Sequence, residues 1–269
     1  MNSPKVSVIM SVYNITQKQL SMAIDSIISQ TLSEWELIIC DDGVTDEIHQ
    51  ILQQYRRRDK RIILIKNKKN LGLAKSLNHC LKYTRGTYIA RMDADDISDK
   101  KRLEKQCYFL DNYPQYAFVG SKAYIFNEEG VYKTRNVEKK PSASSFLLRS
   151  PFMHPTVMVR REAYIAVNGY RIAKETRRVE DYDLFMRLYT YGYKGYNLQE
   201  NLFFYREDKA SYKKRKFKYR IDEMIVRYKG FKSLGLLPKG YLYVIKPLFV
   251  GILPQKIIQA LQKIEGSYE

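Results

Sequence analysis

The sequence has little that would fasten it covalently or carry it through a membrane. Its 269 residues hold three cysteines, Cys40, Cys80 and Cys107. They are far apart, odd in number and without metal-ligand spacing. A disulfide framework and a thiolate metal centre are both excluded, and buried small hydrophobes in a reducing compartment are expected. No run reaches the roughly 18–20 apolar residues that a membrane-spanning helix needs. The opening MNSPKVSVIMSVYN has a short apolar run with neither a basic segment before it nor a small-residue cleavage site, so no secretory leader is expected. The expected location is therefore cytoplasmic, with any membrane contact peripheral, on the inner face of the cell membrane. Acidic residues are also scarce: 29 Asp and Glu face 47 Lys and Arg, a formal net charge of +18.

That surplus implies an anionic partner: nucleic acid, anionic lipid or a phosphorylated small molecule. The 23 tyrosines suit a membrane interface or nucleic acid equally. At 45% hydrophobic residues the chain can build a substantial core, as one large domain or two small ones.

KVSVIMSVY is β-branched and apolar on both faces and reads as a buried parallel strand. Thr16 and Gln19 form a capping box, followed by Leu20, Ala23, Ile24, Ile27 and Ile28 at helical spacing. WELIIC, RIILI and TYIARM read as three more buried strands, with helices over about Asp46–Arg57 and around Leu73, Leu77 and Leu81. This alternation predicts an α/β fold with an open, mainly parallel sheet flanked by helices. Such sheets bind ligands at the carboxyl ends of their strands, where Asn14, Asp41-Asp42 and Asp93-Ala-Asp95-Asp96 all fall. Farther on, the pattern predicts a helix over about Asp99–Asn112, short strands AFVG and AYIF, a turn Asn127–Gly130, a strand from Thr156 and a helix over Val179–Tyr191. KGYNLQENLFFYR should contain the last strands. From Glu207 the chain turns basic and aromatic and reads as a helical appendage.

Several residues have chemistry to offer. On a strand, Asp93 and Asp95 would share a face, and paired carboxylates suit Mg²⁺ or Mn²⁺; an Asp-rich turn into a helix cap at Ser98 or Asp99 is the alternative, and Asp96 is assigned to that turn. Asp41-Asp42-Gly43 is either an Asp-Gly turn or a set of acceptors for a nucleobase N–H or a ribose hydroxyl. Tyr13 is an edge aromatic or a stacking surface for a base. Glu180 and Asp181 open a helix, where acids suit the dipole; the functional alternative is a general base at Asp181, its proton affinity raised by its neighbour. His154 reads as a structural hydrogen-bonder or, on a strand facing the site, as a donor to phosphate or a metal ligand. His49 and His79 receive no role.

Taken together, VSVIMSVYN, WELIICDDGVTD, NLGLAKSLN, GTYIARMDADDISDKKRLEKQ, HPTVMVRR and VEDYDLFMRL resemble, in this order, the inverting family-2 glycosyltransferases of the GT-A fold, including those of bacterial surface-polysaccharide synthesis. The resemblance runs from residue 4 to about 206. It implies a GT-A (Rossmann-like) domain over 1–206, with a nucleotide-sugar-binding half at 1–112 and an acceptor and catalytic-base half at 113–206, ahead of a basic helical region at 207–269. It implies a UDP-sugar donor, Mn²⁺ or Mg²⁺, and transfer of a hexose or N-acetylhexosamine, galactose by a small margin. The implied acceptor is a glycan hydroxyl, lipid-pyrophosphate-linked, in capsule, O-antigen or exopolysaccharide synthesis. By the same resemblance Asp42 meets the uracil with Tyr13 against the base. Asp93 lies near the ribose, Asp95 binds the metal with Asp93 beside it, His154 lies near the diphosphate or acceptor, and Asp181 is the base supported by Glu180. Ser11 and Val44 depart from the family's usual Pro and Ser, which puts the shape of the base pocket in doubt but removes no ligand. The basic tail, beyond these motifs, is expected to dock on an anionic membrane surface, a solvated basic helix or an oligomer contact being the alternative.

A nucleotidyltransferase would leave Glu180-Asp181 without a purpose, and the chain has no Gly-rich phosphate loop. A nucleic-acid-binding module would explain the charge but not acids at three strand ends, so no nucleic-acid partner is expected. A non-catalytic nucleotide- or sugar-binding protein is the remaining alternative.

Overall fold

The computed structural model describes residues 3–207 and 217–252. Val6–Val12 (β1), Trp35–Asp41 (β2), Ile62–Lys66 (β3) and Tyr88–Asp93 (β4) pair in parallel in the order β3-β2-β1-β4. β1 and β2 are buried almost throughout because both faces of the sheet are covered. On one face lie Gln17–Ile28 (α1), Asp46–Arg58 (α2) and Arg102–Asn112 (α4), packing Leu20, Ile24, Leu52 and Leu103 against Val8, Met10, Leu37 and Met92. On the other lie Leu73–Leu81 (α3), Arg161–Ala166 (α5) and Glu180–Thr190 (α6), packing Leu77, Ala163 and Phe185 against Ile9, Ile38 and Ile89. Each such side chain, fully buried, contributes about 1.5–3 kcal/mol, so the three layers fix the strand ends firmly.

Ile97–Ser98 (β5), Phe118–Asn127 (β6), Gly130–Arg135 (β7), Met158–Arg160 (β8) and Gly195–Arg206 (β9) extend the sheet as β4-β8-β6-β9-β5, with β7 hairpinned onto β6. β8 runs antiparallel to β4, and β9 parallel to β6. The result is the mixed, mainly parallel α/β sheet of the GT-A type.

The capping box at Thr16 and Gln19 forms as expected, and all three cysteines are buried and free. Other expectations are corrected. AFVG and AYIF are one strand, β6, which continues through Gly120, paired with Asn197 of β9, whose side chain fills the space a Cβ would take. The last strands are likewise one, β9. α4 starts at Arg102 instead of Asp99, because Ser98, in β5, pairs with Phe203 of β9 and Asp99 Oδ1 accepts the Lys101 N–H at 2.9 Å. The strand expected from Thr156 begins at Met158.

Phe217–Ser233 (α7) and Tyr241–Ile252 (α8) bear out the helical appendage within the described residues; the expectations for 208–216 and 253–269 lie outside them. Arg227, 5% exposed, anchors α7: it donates to Leu147 O at 2.9 Å and Leu148 O at 3.2 Å and pairs with Glu223. No helix among the described residues is long and apolar enough to cross a membrane.

Candidate active site

Strand register sets the site. Val12 aligns with Asp41, Asp41 with Lys66, and Ser11 with Asp93, so four strands end on one rim. Tyr13 follows β1 and is 56% exposed. Asn14 then turns the chain at φ 43°, a conformation Asn tolerates better than most residues.

After Asp93, β4 stops and the chain folds back through a turn into β5. The alternation argument that put Asp93 and Asp95 on one face of a strand is therefore corrected, since Asp95 is not on a strand. The turn nonetheless brings carboxylate oxygens of Asp93, Asp95 and Asp96 within 4.8 Å of one another. Asp96 does serve the turn, accepting the Arg206 N–H at 2.7 Å. Its Oδ2 is buried and has no hydrogen-bond partner among the described residues. Burial, then the charge of Asp93, raises the Asp95 carboxyl to about 6. The same causes push Asp96 well above the usual carboxylate range.

Three arginines hold these acids together. Arg91, 3% exposed, forms an ion pair with Asp93. Arg206 donates from Nε to Asp95 O at 3.0 Å, beside its backbone bond to Asp96. Arg102, fully buried, donates to Arg91 O at 2.8 Å. Sequence reading missed Arg91, although the signal was present. A charge inside a buried strand needs a partner, and the residue two positions on, Asp93, lies on the same face.

Glu180 and Asp181 open α6 as expected. Burial, then the charge of Asp181, raises Glu180 to about 7, while Arg91 acts in the opposite sense. Arg91 has the same lowering influence on Asp95 and Asp96. Its positive charge thus acts on both acidic groups, and its buried Nε has no hydrogen-bond partner among the described residues.

His154 is not on a strand. It starts a 3-10 turn, His154–Thr156, because Pro155 lacks the N–H that a strand ladder uses. Its Nε2 lies 2.7 Å from the Tyr170 hydroxyl, which lies 3.1 Å from that of Tyr164. Burial, then Arg91, lowers its proton affinity well below the usual histidine range, so it is neutral.

Asp42 is 1% exposed and already engaged. Its oxygens accept from Asn67 Nδ2 at 2.8 Å, Leu71 N at 2.7 Å and Gly72 N at 2.9 Å, holding the loop that leads into α3. Gly43 at φ 89° lets this loop approach, with Asn70 N only 3.3 Å from where a Cβ would stand. Asp41 caps its own turn through the Gly43 and Val44 amides and meets His49 at 2.7 Å. His79 meets Asn67 at 2.8 Å. The two histidines left without a role thus brace the rim.

The stretch that holds the parallel strands and the carboxylate cluster, residues 7–169, is matched by the family profile described as "Glycosyl transferase family 2"; Glu180 and Asp181 lie beyond the matched residues. The chain belongs to glycosyl transferase family 2. It is 44% identical over 265 residues to the putative glycosyltransferase EpsE of Bacillus subtilis, covering 98% of this chain and 95% of that one. It is 31% identical over 268 residues to an Escherichia coli UDP-Gal:alpha-D-GlcNAc-diphosphoundecaprenol beta-1,3-galactosyltransferase, covering 94% and 93%. The solved mannosyltransferase PcManGT of Pyrobaculum calidifontis, in complex with GDP-Man and Mn2+, superposes with a TM-score of 0.61 over 99% of this chain and 81% of that one. At 16% identity that likeness shows the fold alone. As a family-2 member the chain is a glycosyltransferase, and family and fold suggest metal dependence. The acidic turn fits a hard divalent cation, offering only carboxylate oxygens, one of them buried and unpartnered.

Proposed function

We propose that the chain moves a hexose or N-acetylhexosamine, galactose first among them, from a UDP-sugar to a hydroxyl of a lipid-pyrophosphate-linked glycan, with inversion, in surface-polysaccharide synthesis. The observation that carries this is the carboxylate triad at the strand rim, with the buried Arg91 acting on both the triad and Glu180. The name of the Escherichia coli relative supports both donor and acceptor class.

Asp95 and Asp93, with Asp96 Oδ2 beside them, would hold Mn²⁺ or Mg²⁺. A cation bound there supplies Lewis-acid stabilisation to the charge gathering on the leaving diphosphate. Tyr13 stacks on the base. Three chain donors leave the Asp42 carboxylate about one of its four lone-pair sites. Its base contact is then a single hydrogen bond at most, and its larger part is holding loop 67–72 as the pocket wall. Asp181 accepts the proton of the acceptor hydroxyl. That oxygen bonds to C1 as the C1–O bond to the diphosphate breaks, and the electron pair leaves with UDP. His154, neutral and bonded to Tyr170, positions that tyrosine beside Arg91.

Calorimetric titration of UDP with and without Mn²⁺ tests the donor site. Wild type should bind more tightly with the metal, and Asp95→Ala should lose that gain. Equal affinity with and without metal, or for both proteins, would refute the assignment.

We further propose that the enzyme works on the inner face of the cell membrane, the basic C-terminal region docking on anionic lipid. α8 supports this: Tyr241 (51% exposed), Leu242 (76%), Ile245 (37%) and Phe249 (62%) form an exposed apolar stripe of the interfacial kind. In flotation with phosphatidylglycerol vesicles the full chain should rise with the lipid, and Leu242→Asp/Phe249→Asp should leave most of it at the bottom. Undiminished flotation of that variant would rule α8 out.

A further inference from the structure

A second charged feature lies beside the site, where a single acid, Asp41, meets one of five lysines. α3 and its C-cap residue Lys82 turn Lys75, Asn78, His79 and Lys82 to one side, at i, i+3, i+4 and i+7. Loop 66–71 brings Lys66, Lys68 and Lys69 next to them, and Ile172 closes the opposite wall of an open groove of about 790 Å³, a volume in the range of small-molecule sites. No carboxylate lines it. Lys66 comes within 3.7 Å of Asp41. Lys68, Lys69, Lys75 and Lys82 have no ion pair among the described residues. Five ammonium groups around one hollow repel each other, and an anion there would relieve the repulsion.

The floor is fixed while the lysines are free to adapt. Asn67 is held by Asp42, Ser76 and His79 at 2.8–2.9 Å. Asn78 clasps the Tyr170 backbone from both sides, donating to its carbonyl at 2.7 Å and accepting its N–H at 2.9 Å. Asn67 therefore ties the groove to the donor wall through Asp42, and Asn78 ties it to the segment that runs from Tyr170 to Glu180 and Asp181.

We propose that this groove seats the diphosphate of the lipid-linked acceptor, placing its sugar toward Asp181; this rests on the acceptor class given above. Lysines are compact point charges suited to phosphate, and five suit a group with several negative oxygens. A flat bilayer cannot enter a concavity, whereas a headgroup projecting from it can. Leu71 (38% exposed) and Ile172 (48%) at the rim offer apolar contact to the first carbons of the lipid.

The test uses the full chain in EDTA, so that the carboxylate site is silent. Phosphatidylcholine vesicles carrying a polyprenyl diphosphate are compared with phosphatidylglycerol vesicles of matched charge. Wild type should bind the former more tightly, and Lys75→Glu/Lys82→Glu should weaken that binding about tenfold or more while binding phosphatidylglycerol as before. UDP titration with Mn²⁺ should be unchanged in this variant. Equal losses on both vesicles would make the groove a general anionic surface. A parallel loss of UDP affinity would make it part of the donor site, and inorganic pyrophosphate binding as tightly as the lipid would remove the lipid from the proposal. Each of these overturns it. Failure here with metal-dependent UDP binding intact would leave the transferase reading standing.

Discussion

Asp181→Asn is expected to lower kcat by about 10²–10⁴-fold, the usual worth of a positioned general base, with UDP–Mn²⁺ affinity unchanged. The amide keeps the shape but cannot take the acceptor's proton. Near-full activity would show that another group is the base. The neighbour sharpens the test. Glu180 titrates at about 7 because of burial and the charge of Asp181. Below that pH it is neutral and adds nothing to Asp181; above it, its negative charge strengthens Asp181 as a base. Glu180→Gln should therefore match wild type near pH 6 and fall about threefold behind near pH 8, flattening the pH–rate profile around 7. Equal impairment at both pH values would mean that Glu180 acts only in packing.

Arg91→Met should be the most costly single change to the fold of the site. It leaves Asp93 beside two other carboxylates without its cation. Breaking a buried pair costs about 3–5 kcal/mol. The Asp93 side chain is 28% exposed, so the lower end applies, roughly 3 kcal/mol, or a drop of about 6–12 °C in Tm for a chain of this size. Mn²⁺ should restore part of the loss, since it binds the folded cluster and not the unfolded chain, and Arg91→Lys should fall between. An unchanged Tm would show that Asp95, Asp96 and Arg206 settle the cluster without Arg91.

Strands β1 to β4 were legible because each is a continuous apolar run ended by a polar cluster, and the start of α6 because two acids precede a helical stripe. The carboxylate cluster was legible as a group, but its geometry was not. A strand alternation was assumed where a turn does the work, and turn geometry depends on the Arg206 backbone, 110 residues away. His154 was legible as a structural hydrogen-bonder, but its partner, the Tyr170 hydroxyl sixteen residues on, was not. The lysine groove was invisible for a different reason. Lys66, Lys68 and Lys69 look like loop charge and Lys75 and Lys82 like a solvated helix face, and only the approach of Ile172 makes one hollow of them.

The clasp of Asp42 on loop 67–72 bears on how this enzyme could change nucleotide. The side chain that would be exchanged first to alter base preference is also the rivet for three donors from that loop. A substitution at 42 would release the wall before it re-specified the base. If Asp42 reads the base as proposed, donor choice in this chain should change only when Asp42 is exchanged together with Asn67–Gly72, and should resist being altered one residue at a time.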